Sequence, residues 1–277
     1  MQRFMLDEGS STGSVAADGS TPQPCQVGAA VCMRGSALHH LTRVMRAQVG
    51  DQIELVCGGR AFVAEIERVS AGCALVRCLR ELLNSESPLR IAWLQGLPKG
   101  DKLDAVLRQA CEIGAAEVHV FAGRRSIAAV ADARVPERVA RWRRVLQEEA
   151  AVAKRVEPPQ VRYSSSLEEA LDELPAALPV LAPYELQDGS LPHLSEILAP
   201  HSDFAKRLLT MREAALVIGP EGGFDEREIA QLQARGAHLC TLGPRILRTE
   251  YAGLAVAAIL LYVGEIELRL HQQEVKS

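Results

Sequence analysis

Two glycine-rich segments carry the residue types that could do chemistry: Val217-Ile218-Gly219-Pro220-Glu221-Gly222-Gly223-Phe224 and Leu242-Gly243-Pro244-Arg245-Ile246-Leu247-Arg248-Thr249-Glu250. Each follows a short apolar run that reads as a strand, AALVIGP (214–220) and HLCTLG (238–243), and each precedes a helical pattern. In an open α/β sheet that edge, beyond the carboxyl ends of the strands, is where ligands bind. Glycine there lets the backbone come close to a ligand and adopt positive φ. One such segment alone would be an ordinary strand-to-helix turn. Two with matching Gly-Pro placement point to a shared pocket. Neither reads Gly-x-x-x-x-Gly-Lys-Ser/Thr, which excludes a P-loop, and neither reads Gly-x-Gly-x-x-Gly. A pocket walled by backbone, with the acidic Glu221 in it, suits a neutral adenosine and a cationic sulfonium and opposes a phosphate.

The elements that must position these loops alternate between strand and helix. IAWLQGL (91–97) is a strand. Asp101 then caps a helix whose Leu103, Val106, Leu107, Ala110 and Cys111 follow the 3.6-residue period and which stops at Gly114. AEVHVF (116–121) and LPVLAP (178–183) are further strands, separated by an amphipathic helix over 137–154 with Val139, Trp142, Leu146 and Ala150 on one stripe. Asp225, with Glu228 three residues on, predicts a capping box, and an apolar helix over 251–264 closes the pattern. This alternation predicts an α/β domain with a mostly parallel sheet. Upstream, DQIELVCGG, RAFVAEIERV and CALVRCL predict a small β-barrel, with a short helix around His39 to Arg46. The polar stretch LLNSESP (82–88) separates the two, giving domains over 1–86 and 87–277. Residues 5–30, rich in Gly, Ser, Asp, Thr and Pro, read as a loop insertion.

The net charge of −4 excludes a protein that grips nucleic acid by overall basicity, so any such contact must come from local basic patches. Seven cysteines include no Cys-x-x-Cys pair, which predicts neither a zinc site nor a disulfide framework and suits a reducing, cytoplasmic setting. His39 and His40 have no acid or cysteine spaced to join them, so no metal site is expected. The N-terminus lacks an apolar core of the secretory type. The apolar run Leu254 to Val263 is too short to span a bilayer, so no membrane partner is expected.

VIGPEGGF together with LGPRILRTE closely resembles the RsmE family, the uridine-N3 methyltransferases of bacterial 16S ribosomal RNA. HLTRVMRAQVGDQIEL (40–55), SPLRI (87–91) and LPKGDKLDAVLRQACEIGAAEV (97–118) extend the resemblance over most of the chain. It implies a SPOUT-type C-terminal domain with a deep trefoil knot, preceded by a PUA-like β-barrel that helps grip RNA. It implies S-adenosyl-L-methionine as cofactor and small-subunit ribosomal RNA, or the assembled subunit, as substrate. It also implies a homodimer. Carried onto this chain, the cofactor residues are Leu181, Ala182, Ile218, Gly219, Glu221, Gly222, Gly223, Leu242, Gly243, Ile246 and Leu247. Arg248 and Glu250 face the reaction zone, and Glu221 is the other acid that could take the N3 proton. Arg3, Arg43, Arg46, Arg124 and Arg125, with Lys99 and Lys102, are candidate RNA contacts. The chain departs from the family pattern at Ala151, Val152 and Tyr251. A non-catalytic RNA-binding or ribosome-assembly protein on the same scaffold is the alternative those departures leave open. A Rossmann-type nucleotide enzyme would share only the alternation.

Overall fold

The computed structural model describes residues 1–6, 25–126, 130–185 and 189–274. They form two compact units, one of residues 1–86 with 150–157 and one of 87–149 with 158–277.

The first unit is built on strands β1 (Arg3–Met5), β2 (Ala30–Met33), β3 (Gln52–Cys57), β4 (Arg60–Val69) and β5 (Ala74–Glu81), in the order β1-β3-β4-β5-β2. Helix α1 (Gly35–His39) follows β2 and runs on as a wider π turn over His40–Val44. Gly58 and Gly59, at φ 59° and 70°, make the two-residue turn between β3 and β4 that the right-handed twist of a hairpin favours. Only β1 pairs parallel, with β3; the other pairs are antiparallel. Register shifts at Val63/Ala64 and Ile66/Arg68 bend β4 and β5 around one core of Val31, Met33, Leu41, Ile53, Leu55, Phe62, Ile66 and Val76. The return of 150–157 to this unit is not visible in the sequence pattern. Glu86 holds it, accepting hydrogen bonds from Arg155 Nε and from the backbone N–H groups of Val156 and Glu157.

The expectation of no disulfide is corrected here. Cys25–Cys57 and Cys32–Cys73 are disulfides, with Cα separations of 6.0 and 5.9 Å. Their spacing along the chain carries no motif because strand pairing brings them together: Cys32 lies opposite Leu75, two residues from Cys73. Cys78, Cys111 and Cys240 are buried thiols, and Cys111 Sγ donates to Leu146 O at 3.7 Å.

The second unit has a six-stranded, wholly parallel sheet. Strand β6 (Arg90–Gly96) leads to α2 (Lys102–Ile113), β7 (Glu117–Phe121), α3 (Val135–Val152), β8 (Gln160–Ser164) and α4 (Leu167–Asp172). Then follow β9 (Val180–Pro183), α5 (Leu194–Ile197), α6 (Asp203–Met211), β10 (Glu213–Ile218), α7 (Glu226–Ala234), β11 (His238–Cys240) and α8 (Thr249–Glu274). The order is β11-β9-β10-β6-β7-β8. From β6 the chain moves outward to β8 and then crosses to the other side, so the winding reverses between β6 and β10, where such sheets open a ligand crevice. Both β6 and β10 are buried along nearly their whole length, as strands covered on both faces must be.

Helix α8 is longer than the 251–264 of the sequence pattern. Its Thr249–Ile266 stretch is long and apolar enough to cross a membrane, but half of it is buried, with Val256, Ala257, Leu260 and Leu261 in the core. Two glycines let it lie flat on β6. A Cβ at Gly253 would stand 1.8 Å from Trp93 Cζ2, and one at Gly264 2.5 Å from Leu89 Cδ2.

Candidate functional site

A cavity of about 470 Å³ opens beyond the carboxyl ends of β9, β10 and β11. Three loops wall it. The one after β10 contributes Ile218, Gly219, Pro220, Glu221, Gly222 and Gly223. The one after β11 contributes Leu242, Gly243, Arg245, Ile246, Leu247 and Arg248, and Thr249 stands at its end. The one after β9 contributes Pro183, Tyr184 and Glu185. Lys102 and Arg125 complete the rim.

Local chemistry explains why the first loop sits where it does. A Cβ at Gly96 would be 2.5 Å from both Pro220 Cδ and Pro220 N, so only glycine at the end of β6 lets Pro220 settle there. Asp225 caps α7, with the predicted return bond: Glu228 N donates to Asp225 Oδ1 (2.8 Å) and Asp225 N to Glu228 Oε2 (2.9 Å). The buried Glu228 also accepts from Arg124 N (3.0 Å), which joins the loop after β7 to the start of α7. By contrast Asp101, at the start of α2, makes no side-chain cap bond.

The charges are arranged around Lys102. Its ammonium lies 3.0 Å from Glu221 Oε1 and 3.7 Å from Glu250 Oε2. Glu221 also accepts from Lys99 N at 3.1 Å. Burial works against the Glu221 charge, but hydrogen bonds from its own N–H, from Lys102 and from Lys99 outweigh it and hold the carboxyl below the usual range. The hydrogen bond to Glu221 in turn raises Lys102 above an ordinary lysine, despite some desolvation.

The structure thus brings together Ile218, Gly219, Glu221, Gly222, Gly223, Leu242, Gly243, Ile246, Leu247 and Arg248 on one cavity. Three of the expected cofactor and catalytic residues stand off the cavity wall. Leu181 and Ala182 are completely buried inside β9, and the cavity wall begins one residue later at Pro183. Glu250 stands behind the wall, 8% exposed, and turns toward Lys102; its Oε2 has no hydrogen-bond partner. Arg3 is buried against Glu54 at 2.8 Å, with a second bond to Arg155 O at 3.1 Å. Of the other arginines, Arg43 and Arg46 are exposed at the end of the π turn, Arg46 at φ 54°. Arg124 pairs with Asp225 at 2.8 Å, and Arg125 reaches Gly222 O at 3.4 Å on the cavity rim. Sequence reasoning missed Tyr184, Glu185 and Thr241. Their place just beyond β9 and β11 was the available signal.

Residues 85–261 match the RNA methyltransferase domain family, and residues 34–76 match the RNA methyltransferase PUA domain. The chain is 31% identical to ribosomal RNA small subunit methyltransferase E of Bacillus subtilis over 253 residues, covering 89% of this chain and 95% of that protein. It is 29% identical to the protein of the same name from Mycobacterium bovis over 240 residues, 84% of this chain and 86% of that one. Among solved structures, a ribosomal RNA small subunit methyltransferase E from Neisseria gonorrhoeae bound to S-adenosyl methionine superposes with a TM-score of 0.74 at 28% identity, covering 94% of this chain and 96% of that one. A methyltransferase from Legionella pneumophila, in complex with the same cofactor, gives 0.70 at 26% identity over 86% of this chain and 94% of that one.

Proposed function

Since this chain belongs to the ribosomal RNA small subunit methyltransferase E family, we propose that it transfers a methyl group from S-adenosyl-L-methionine to N3 of a uridine in 16S ribosomal RNA. The observation that carries this reading is the convergence of both Gly-Pro loops on one cavity. The residues there fit the cofactor. Gly219, Gly222, Gly223 and Gly243 present bare backbone, Ile218, Leu242, Ile246 and Leu247 offer apolar surface, and the carboxylates of Glu221 and Glu185 balance a positive sulfonium.

When bound, the cofactor supplies the methyl group, its sulfur keeping the bonding pair as the N3–carbon bond forms. The protein's task is orientation and charge. Uridine N3 carries a proton that must leave before its lone pair can attack. Glu221 is a poor acceptor, because its oxygens are already held by Lys99, Lys102 and its own N–H. Arg248 and Lys102 on the wall stabilise the negative charge that grows on the uracil carbonyl oxygens as the proton passes to solvent. Glu250 acts through Lys102, fixing the ammonium from behind, and is therefore a positioning residue.

The same reading takes the second unit as a SPOUT fold tied in a deep trefoil knot, supported by its parallel strand order and by α8 packing across β6. It takes 1–86 as the RNA-gripping domain, with Arg43 and Arg46 toward RNA, and 87–277 as the catalytic domain, working in the cytoplasm. It takes the active form as a homodimer. Tyr251, Ile259, Tyr262 and Ile266 are exposed at helical spacing along one stripe of α8, apolar surface that a second copy would cover. The departures at Ala151, Val152 and Tyr251 all lie off the cavity wall, which favours the catalytic reading over a purely RNA-binding one.

The test is complementation. A bacterium lacking this activity is supplied with the chain, and nucleosides of its 16S RNA are resolved by mass spectrometry. N3-methyluridine should reappear. No mark from a chain that is expressed and binds the cofactor would leave the non-catalytic alternative.

A further inference from the structure

Beneath the cavity, a directed run of buried hydrogen bonds joins the two Gly-Pro loops. Trp93 Nε1 donates to Gln95 Oε1 at 3.1 Å. Gln95 Nε2 donates to Gly96 O at 3.0 Å and to Thr249 Oγ1 at 2.9 Å. The Thr249 hydroxyl donates to Gly219 O at 2.6 Å. Trp93 and Gln95 are completely buried, and Thr249 is 7% exposed.

The direction of this run is forced. An indole N–H can only donate, so Gln95 must turn its carbonyl oxygen to Trp93 and its NH₂ group to the other side. Thr249 Oγ1, accepting from that NH₂, has one proton left, and it goes to Gly219 O. Neither Trp93 nor Gln95 lines the cavity, yet the run ends on two residues that do. Gly219 opens the loop after β10; Thr249 closes the loop after β11 and starts α8. A side chain at the centre of the sheet therefore sets the spacing between two walls of the site. Among buried polar groups such a run specifies one geometry, because any slip leaves a donor or acceptor unpaired in a dry interior.

We propose that Gln95 and Thr249 are positioning residues for the cofactor, holding the Gly219 and Leu242–Thr249 loops at the separation S-adenosyl-L-methionine requires. This rests on the reading of the cavity as the site for that cofactor. Thr249→Val keeps the shape and removes the relay; Gln95→Leu removes its source. Each is compared with Thr249→Ser, which keeps the hydroxyl. Cofactor dissociation constants are measured by calorimetry at a temperature where every variant retains native circular dichroism, with the KM for the cofactor and kcat alongside.

The dissociation constant should weaken about tenfold or more in Thr249→Val and Gln95→Leu. The KM should rise in step while kcat at saturating cofactor changes less than about threefold, and Thr249→Ser should bind close to the original protein. Lowered melting temperatures with unchanged cofactor affinity would overturn the proposal, since they would mean the run serves the fold alone. Failure of Thr249→Ser to restore binding would also overturn it. Failure of the unaltered protein to bind the cofactor would instead overturn the reading of the cavity on which the proposal rests.

Discussion

Replacing Gly253 by alanine tests how α8 is seated on the sheet. In a helix the change would ordinarily help, because alanine is favoured over glycine by about 1 kcal/mol. Here the added methyl carbon would stand 1.8 Å from Trp93 Cζ2 and 2.4 Å from Cε2. Carbon atoms pack comfortably at about 3.5–4.0 Å, so helix or ring must retreat by roughly 2 Å. The ring has nowhere to go, being completely buried with its N–H bound to Gln95. Overpacking of this kind costs about 1–3 kcal/mol, and more where backbone must move. The net effect should be destabilising by about 1–2 kcal/mol or more, a fall in melting temperature of several degrees for a chain of this size. Because Thr249 sits one turn before Gly253 on the same helix, cofactor affinity should fall as well. Thermal unfolding and calorimetry on one preparation read both effects. A variant as stable as the original, or more so, would refute the close seating of α8 on β6.

Four further outcomes are expected. Glu86→Ala should destabilise the first unit by about 1–3 kcal/mol in chemical denaturation, because Arg155 Nε and two backbone N–H groups lose a half-buried carboxylate acceptor. Burial opposes the Glu86 charge, but Arg155 and the two N–H groups lower its pKa below the ordinary 4.5, so its contribution is full above that value and is lost as pH falls below it. The unaltered protein should therefore lose more stability between pH 5 and pH 3 than Glu86→Ala does. Arg248→Ala should lower kcat by roughly 10²-fold with little change in cofactor affinity, checked by steady-state kinetics against calorimetry. Tyr262→Glu should shift the mass measured by light scattering from dimer to monomer, since it places a charge on the exposed stripe of α8.

How much was legible in the sequence depended on whether the cause was local. The α2 period, the Gly114 stop at φ 99° and the Asp225–Glu228 capping box are set by neighbours a few residues apart, and all could be read directly. So could the Gly-Pro loops, because two strand-to-helix turns with matching Gly-Pro placement point to one shared pocket. Strand β8 and helices α4 to α6 escaped. QVRYS alternates too briefly, and these helices run four to nine residues, too short for a period to show. The Arg3–Glu54 ion pair was hidden because Glu54 is brought beside Arg3 only by the pairing of β1 with β3. The disulfides and the Trp93–Gln95–Thr249 run were hidden for the same reason. Gln95 lies 154 residues from Thr249, and nothing in an apolar strand marks one glutamine as a link between loops.

The central claim is methyl transfer to uridine N3, and one incubation tests it most directly. Purified protein is mixed with methyl-labelled S-adenosyl-L-methionine and small ribosomal subunits from cells that lack the mark, and the labelled nucleosides are mapped. The account predicts N3-methyluridine at a single position of the 16S RNA. Label at another atom or another nucleoside, or no transfer from a protein that binds the cofactor, would contradict it.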